Sequence, residues 1–319
     1  MALTAESVIK IKGLTKEYYN KVVVNNINME IPNSCFAFLG PNGAGKTTTM
    51  LMLLGLVRPT SGKAFILGND ITKNFNEIRK KISFLPENVG FYPNLTAKQF
   101  LTLILRLRCG NNKNTDQIEG YLKWSGLKQK DWEKKIKAYS RGMKQRLGLA
   151  QAFIGDPELV FLDEPLSNID PIGREMLIKK IREKRRQGIT IVISSHIILE
   201  IEQLADFVAF IDQGEIKASD KIYNLTQSYG LHEYEITRIS NDDDVAIEKI
   251  QEILVSEDVF SDSPKLLSEK LIFQTNNPQK VAEIIWKYKD FSFTPISGTL
   301  NKLYKRIVGI ENNESSKEI

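Results

Sequence analysis

Between Val8 and Ile31 apolar and polar residues alternate in two runs, VIKIKGL and KVVVNNINMEI, and a period of two marks strands with one face buried. These predict an antiparallel layer. The next run, CFAFL at 35–39, is apolar throughout, as expected of a strand covered on both faces. After Gly45 the spacing changes. Met50, Leu51, Leu53, Leu54 and Leu56 recur at helical intervals until Arg58-Pro59-Thr60-Ser61-Gly62 ends the pattern. The same spacing in FLTLILRLR and DQIEGYLKWSGL predicts a mostly helical insert over roughly 95–138. Two more buried strands, LVFL at 159–162 and TIVISS at 190–195, flank an amphipathic segment from Gly173 to Arg186. Strand, helix and strand in that order imply parallel strands with right-handed crossovers, hence an α/β core.

The pattern changes again after about Lys221, where YEITRIS, VAIEKIQEILV, KLIFQTN, PQKVAEIIWKYK, FSFTPIS and GTLNKLYKRIV alternate between strand and helix periods. They predict a small α+β domain. NDDD at 241–244 is a helix-start signal before Val245, and the closing NNESSKEI has the composition of a disordered tail. The expected division is therefore 1–225, 226–312 and a tail of 313–319.

A length of 319 residues with 42% hydrophobic composition supports one large core and a second small one. The net charge of +5 is scattered along the chain instead of forming a basic block, so no nucleic acid partner is expected. Cys35 and Cys109 form no metal-binding spacing, which points to a reducing cytosol without a disulfide or zinc site. The opening MALTAESVIKIKG lacks the pattern of a signal peptide, and nowhere do 18 uncharged apolar residues run together. Any membrane role is expected to be peripheral.

Candidate chemistry lies at the ends of the three buried strands. GPNGAGKTTT follows CFAFL and matches GxxxxGK[ST] at Gly40, Gly45, Lys46 and Thr47. A glycine-rich turn could merely reverse the chain. Between a strand and a helix, however, this spacing turns backbone N–H groups inward around phosphate, brings Lys46 to the β and γ phosphates and gives Mg²⁺ the Thr47 hydroxyl. LVFLDEP ends on Asp163, a carboxylate placed to share that Mg²⁺, and Glu164, which can polarise an attacking water. Its plain alternative is an acidic turn stopped by Pro165. His196 follows TIVISS and can hydrogen-bond a γ-phosphate oxygen, although a lone histidine commonly serves as a cap or packs in a core; the only other histidine is His232.

Taken in order, GPNGAGKT, FLPENVGFYPNLT, YSRGMKQRLGLAQAF, LVFLDEP with LSNID, and SSH resemble the ATP-binding subunit of ABC transporters over residues 5–225. The resemblance implies a P-loop NTPase core with a mixed sheet, an antiparallel β subdomain and a helical insert, followed by the small α+β domain. It implies an ATPase that dimerises head to tail around two ATP molecules and works on the cytoplasmic face of the membrane with integral permease subunits. By the same resemblance Tyr18, or failing it Tyr19, stacks on adenine. Gly40, Pro41, Asn42, Gly43, Ala44, Gly45, Lys46, Thr47 and Thr48 hold the phosphates; Thr47, Asp163 and Glu87 attend the Mg²⁺; Glu164 is the general base; His196 holds the γ-phosphate.

Two motifs depart from the family. Glu87 replaces the usual glutamine, as in members resembling drug, lipid or polymer exporters, and an ionised carboxylate there cannot donate a hydrogen bond. Tyr139-Ser140-Arg141-Gly142-Met143 replaces Leu-Ser-Gly-Gly-Gln, keeping Ser140 and Gly142 to face the partner's γ-phosphate, while Arg141 and Met143 must point away. Asp170 resembles the residue that crosses the dimer interface. In the insert, Phe91 and Tyr92 are either anchors for a membrane partner or core residues. Two other classes compete, a soluble ABC-type ATPase and a nucleotide-sensing subunit with little turnover. A single motif set without long heptads speaks against the first, and intact Lys46, Asp163 and Glu164 speak against the second.

Overall fold

A computed structural model describes residues 7–110, 117–167, 169–229, 233–238, 246–267, 270–275, 277–288, 290–295 and 299–308. The helix-start signal at 241–244, His232 and the tail from 313 fall outside them. The chain divides into two compact units, Met1–Lys221 and Ile222–Ile319.

In the first unit the elements run β1 Ser7–Tyr18, β2 Lys21–Pro32, β3 Cys35–Leu39, α1 Lys46–Leu53, β4 Ser61–Ile66, β5 Asn69–Asp70, α2 Phe75–Lys81 and β6 Ile82–Leu85. The insert and the second half of the core follow as α3 Ala97–Cys109, α4 Gln117–Ser125, α5 Arg141–Ala152, β7 Leu159–Asp163, α6 Pro171–Arg186, β8 Thr190–Ser195, α7 Ile198–Leu204, β9 Phe207–Asp212 and β10 Glu215–Lys221.

The period-two runs form an antiparallel sheet in the order β2-β1-β4-β5. The apolar runs form a second sheet, β10-β9-β3-β8-β7-β6, parallel except for the edge strand β10. β3, β7 and β8 have no exposed residue, so their apolar composition reflects cover on both faces. Phe36, Phe38, Phe161, Val192 and Ala209 of this sheet share a core with Met50 and Leu53 of α1 and with Ile9, Leu14 and Ile27 of the antiparallel sheet. The helical insert has its own core of Phe100, Leu101, Leu105, Ile118, Leu122, Trp132 and Leu147. Its α3 starts on a capping box, in which Thr96 and Gln99 satisfy each other's backbone N–H groups.

The sequence reading named neither ISFL (β6) nor FVAFID (β9) as strands. β9 lies beside β3, and β6 forms the far edge beyond β7.

The second unit comprises α8 Ile222–Ser228, β11 Glu233–Arg238, α9 Ile247–Ser256, β12 Lys265–Leu267, β13 Lys270–Gln274, α10 Pro278–Ile285, β14 Phe291–Pro295 and α11 Thr299–Val308. Its antiparallel sheet, β12-β13-β11-β14, is split so that the last strand pairs with the first, a β-α-β-β-α-β plan. Ile236, Leu271, Phe273 and Phe291 bury one face of that sheet with Ile250 and Leu254 of α9 and Val281 and Ile285 of α10. Among the described residues, no helix is long and apolar enough to cross a membrane.

Candidate functional site

β3, β8 and β7 are neighbours, and their parallel register pairs Leu39 with Ser195 and Asp163 with Ser194. The segments that follow these three strands therefore leave the sheet side by side at its carboxyl edge, where open α/β sheets bind ligands. Distant stretches of sequence are brought to one cleft of about 450 Å³.

One wall is the loop 40–45 and the start of α1. Gly45 occupies the N-cap of α1 at φ +105°, and a Cβ there would lie 2.8 Å from the Val23 carbonyl oxygen, so both conformation and space require glycine. Asn42, Gly43, Gly45, Thr47 and Thr48 line the cleft, with the first turn of α1 contributing its positive end. Lys46 is 5% exposed, and its Nζ donates to the carbonyl oxygens of Gly40 at 2.7 Å and Pro41 at 3.0 Å. Burial lowers its pKa, against the opposing pull of Glu164, Asp163 and Glu87. Ala44 supports the loop from behind, its carbonyl accepting from Gly214 N–H at 3.0 Å.

The floor is the end of β7. Thr47 Oγ1 donates towards both Asp163 oxygens, at 3.1 and 3.0 Å, and Ser194 Oγ donates to Asp163 Oδ1. Ser194 also accepts the Glu164 N–H at 3.1 Å. Glu164 has φ +47°, a left-handed conformation that is costly for a residue with a Cβ, and this turn sends its carboxylate back into the cleft. There Glu164 Oε1 lies 3.8 Å from Lys46 Nζ and Oε2 lies 3.0 Å from His196 Nδ1. Three of the singled-out residues thus form one chain of contacts, Lys46–Glu164–His196.

The donor set suits Mg²⁺. One hydroxyl and one carboxylate converge, as in sites where a hard octahedral ion takes its other positions from phosphate and water. Among the described residues no cluster of three or more His, Cys, Asp or Glu side chains is arranged to hold a metal alone.

Other expected residues lie outside this cleft. Tyr18 is 39% exposed, carries Lys16 Nζ at 4.6 Å from its ring centre and is not among the lining residues, where Val23 stands instead. Ser140 caps α5, accepting from Met143 N–H at 3.2 Å, and Asp170 caps α6, accepting from Gly173 N–H at 2.8 Å. Gly142 lies in the first turn of α5, and a Cβ there would meet nothing within 4 Å. Met143 packs against the insert core, while Arg141 joins Glu87 in an adjoining hollow. Phe91 packs edge-on against Phe100 at 5.1 Å, whereas Tyr92 is exposed.

Sequence reasoning missed Ser194 and Glu200. Glu200 is 3% exposed on α7, directly beyond the histidine segment, and burial raises its pKa. It also missed Gln145, whose Nε2 donates to the Pro165 carbonyl at 2.8 Å and ties α5 to the turn after Glu164.

A family model described as ABC transporter matches residues 24–167. The chain is 44% identical over 215 residues to an uncharacterized ABC transporter ATP-binding protein, YcbN, of Bacillus subtilis, covering 66% of this chain and 68% of that protein. It is 44% identical over 214 residues to the bacitracin transport ATP-binding protein BcrA of Bacillus licheniformis, with the same two shares. The lantibiotic transport ATP-binding protein SrtF of Streptococcus pyogenes is 41% identical over 209 residues, which span 65% of this chain and 88% of that one. Among solved structures, a dimeric ATP-binding cassette in a post-hydrolysis state with ADP and Pi superposes with a TM-score of 0.63 at 23% identity. The match covers 67% of this chain and 98% of that one, a likeness of fold.

Proposed function

The chain belongs to the ABC transporter family as an ATP-binding subunit, and from that premise we propose that it hydrolyses ATP with Mg²⁺ to drive a separate membrane permease. The observation that carries the proposal is the Glu164 carboxylate, held between Lys46 and His196 inside the cleft that the glycine-rich loop lines.

Each residue has a chemical task. The loop from Gly40 to Gly45 and the α1 N-terminus hold the phosphates through backbone N–H groups. Lys46, already buried, exchanges the Gly40 and Pro41 carbonyls for β- and γ-phosphate oxygens. Thr47 and Asp163 are the residues that would hold Mg²⁺, which neutralises charge developing between the phosphates. Glu164 accepts a proton from the attacking water, and His196, bonded to Glu164 through Nδ1, orients that carboxylate. Glu87 lines the same cleft, where its carboxylate would reach the metal through water.

At the start of α5 Ser140 is exposed and Gly142 half-buried, and both are absent from the lining of their own chain's cleft, which supports a head-to-tail dimer in which they close the partner's site. With the names of the transport relatives, this supports an exporter subunit working peripherally at the cytoplasmic face. The test is direct. The purified full chain should release phosphate from ATP only with Mg²⁺ present, and tight ATP binding without any phosphate release, alone or with its permease, would reject the assignment.

A further inference from the structure

Behind His196 lies a buried polar cluster that the reaction, as derived above, does not use. Glu200, on α7, accepts a hydrogen bond from Ser195 Oγ through Oε2 at 3.0 Å. Ser195 Oγ accepts in turn from the Ile197 N–H, also at 3.0 Å. These two bonds clamp the backbone on both sides of His196, a residue outside regular structure between β8 and α7. The other Glu200 oxygen, Oε1, lies 3.4 Å from Arg174 Nε, and neither atom has a hydrogen-bond partner although both are buried. Arg174 sits in the first turn of α6, its N–H bonded to the carbonyl of Asp170 at 2.9 Å.

A carboxylate buried to this degree is costly unless its charge is matched and its oxygens are satisfied. A glutamine or an apolar residue would fill the same space at lower cost. The charge is explained by what it joins: one oxygen fixes the 195–197 turn, and the other faces a cation on the helix that Asp170 opens.

We propose that Glu200 is a positioning residue for ATP hydrolysis, locking the Ser195–Ile197 turn so that His196 stays on Glu164, and tying that turn through Arg174 to the Asp170 end of α6. The proposal rests on the ATPase reading and deepens it. Glu200 does not touch the nucleotide; it acts through the histidine.

The experiment is a double-mutant cycle on the full-length protein, measuring kcat and KM for ATP and nucleotide affinity. Glu200→Gln keeps the shape and loses the charge. In the wild-type background it should lower kcat about tenfold with KM little changed, in the range seen when a supporting partner of a site residue is lost. In a His196→Ala background the same change should have less than about a twofold effect, because the group it positions is gone. Equal fold-losses in both backgrounds, or no loss in the wild type, would overturn the proposal. If His196→Ala leaves no measurable turnover, hydrogen exchange decides: Glu200→Gln should speed exchange in the 196–198 segment and leave β8 amides unchanged, and unchanged exchange there rejects the clamp. A wild-type chain without ATPase activity would count against the functional reading, not against the clamp, which the exchange measurement reads on its own.

Discussion

Glu164 Oε2 lies 3.0 Å from His196 Nδ1 while Glu164 Oε1 lies 3.8 Å from Lys46 Nζ, so one carboxylate joins residues that are 150 positions apart in sequence. The carboxylate is 9% exposed, and screening of its interactions by water is correspondingly weak. Its position depends on the left-handed φ of +47° at Glu164, a strained backbone held by two hydrogen bonds from its N–H to Ser194.

Glu164→Gln tests what that carboxylate does. The amide keeps the size and can still hydrogen-bond His196, but it cannot take a proton from water. ATP affinity should stay within a few-fold, a closed dimer should accumulate, and hydrolysis should fall by the ~10²–10⁴ typical of general-base loss. Phosphate release and equilibrium nucleotide binding read the two effects separately; retained turnover would sink the role.

The assignment of Ser140 to a partner's site makes a different kind of prediction. Ser140→Ala and Lys46→Ala should each abolish most ATPase activity alone, the first by removing the lid and the second by emptying the cradle. A mixture of the two should recover part of the rate, because one of the two sites in a mixed dimer contains both residues. Activity of the mixture after subunit exchange is the measurement. A mixture as dead as its parents, with mixed dimers present by mass, excludes the shared site.

How much of this was legible beforehand depended on where the contact partners lie. CFAFL and LVFLDEP could be read because strands covered on both faces tolerate no charge until they end, and the residues that end them are the chemical ones. ISFL and FVAFID carry the same signal over four to six residues, but short apolar runs do not distinguish strand from buried helix. Ser194 and Glu200 were invisible for another reason. Ser194 meets Asp163 through the register of β8 against β7, and Glu200 meets Arg174 through the packing of α7 on α6; neither relation has a sequence period. Tyr18 lies at 39% exposure with Lys16 over its ring and outside the cleft lining, so its expected place on adenine rests on the motif and not on a contact.

The two thiols should be distinguishable. Cys35 is 1% exposed and burial, aided by Asp206, pushes its pKa up to about 12, so at pH 8 only about one molecule in 10⁴ carries the reactive thiolate. Cys109 is partly exposed. A thiol reagent at pH 8 should therefore modify one cysteine in the native protein and both in denaturant, with mass spectrometry locating the native label at Cys109. Fast native labelling of Cys35 would mean that β3 opens far more readily than its burial implies.

The last prediction concerns the tie between the insert and the catalytic turn. Gln145 is 8% exposed, and its Nε2 is the donor found for the Pro165 carbonyl, one residue beyond Glu164. Gln145→Ala leaves that acceptor facing a small void, which should cost about 1–3 kcal/mol of stability. Gln145→Glu should cost more despite its closer shape, because it sets a buried carboxylate against a carbonyl oxygen, two acceptors with no hydrogen between them at neutral pH. Lowering the pH protonates that carboxylate and restores a donor, so the gap between Gln145→Glu and Gln145→Ala should narrow or reverse in mild acid. Urea unfolding at two pH values tests the order. If Gln145→Glu matches wild type at neutral pH, the bond to Pro165 contributes nothing, and the turn that carries Glu164 is held without it, by Ser194 and by the Ser167 N–H on the Glu164 carbonyl.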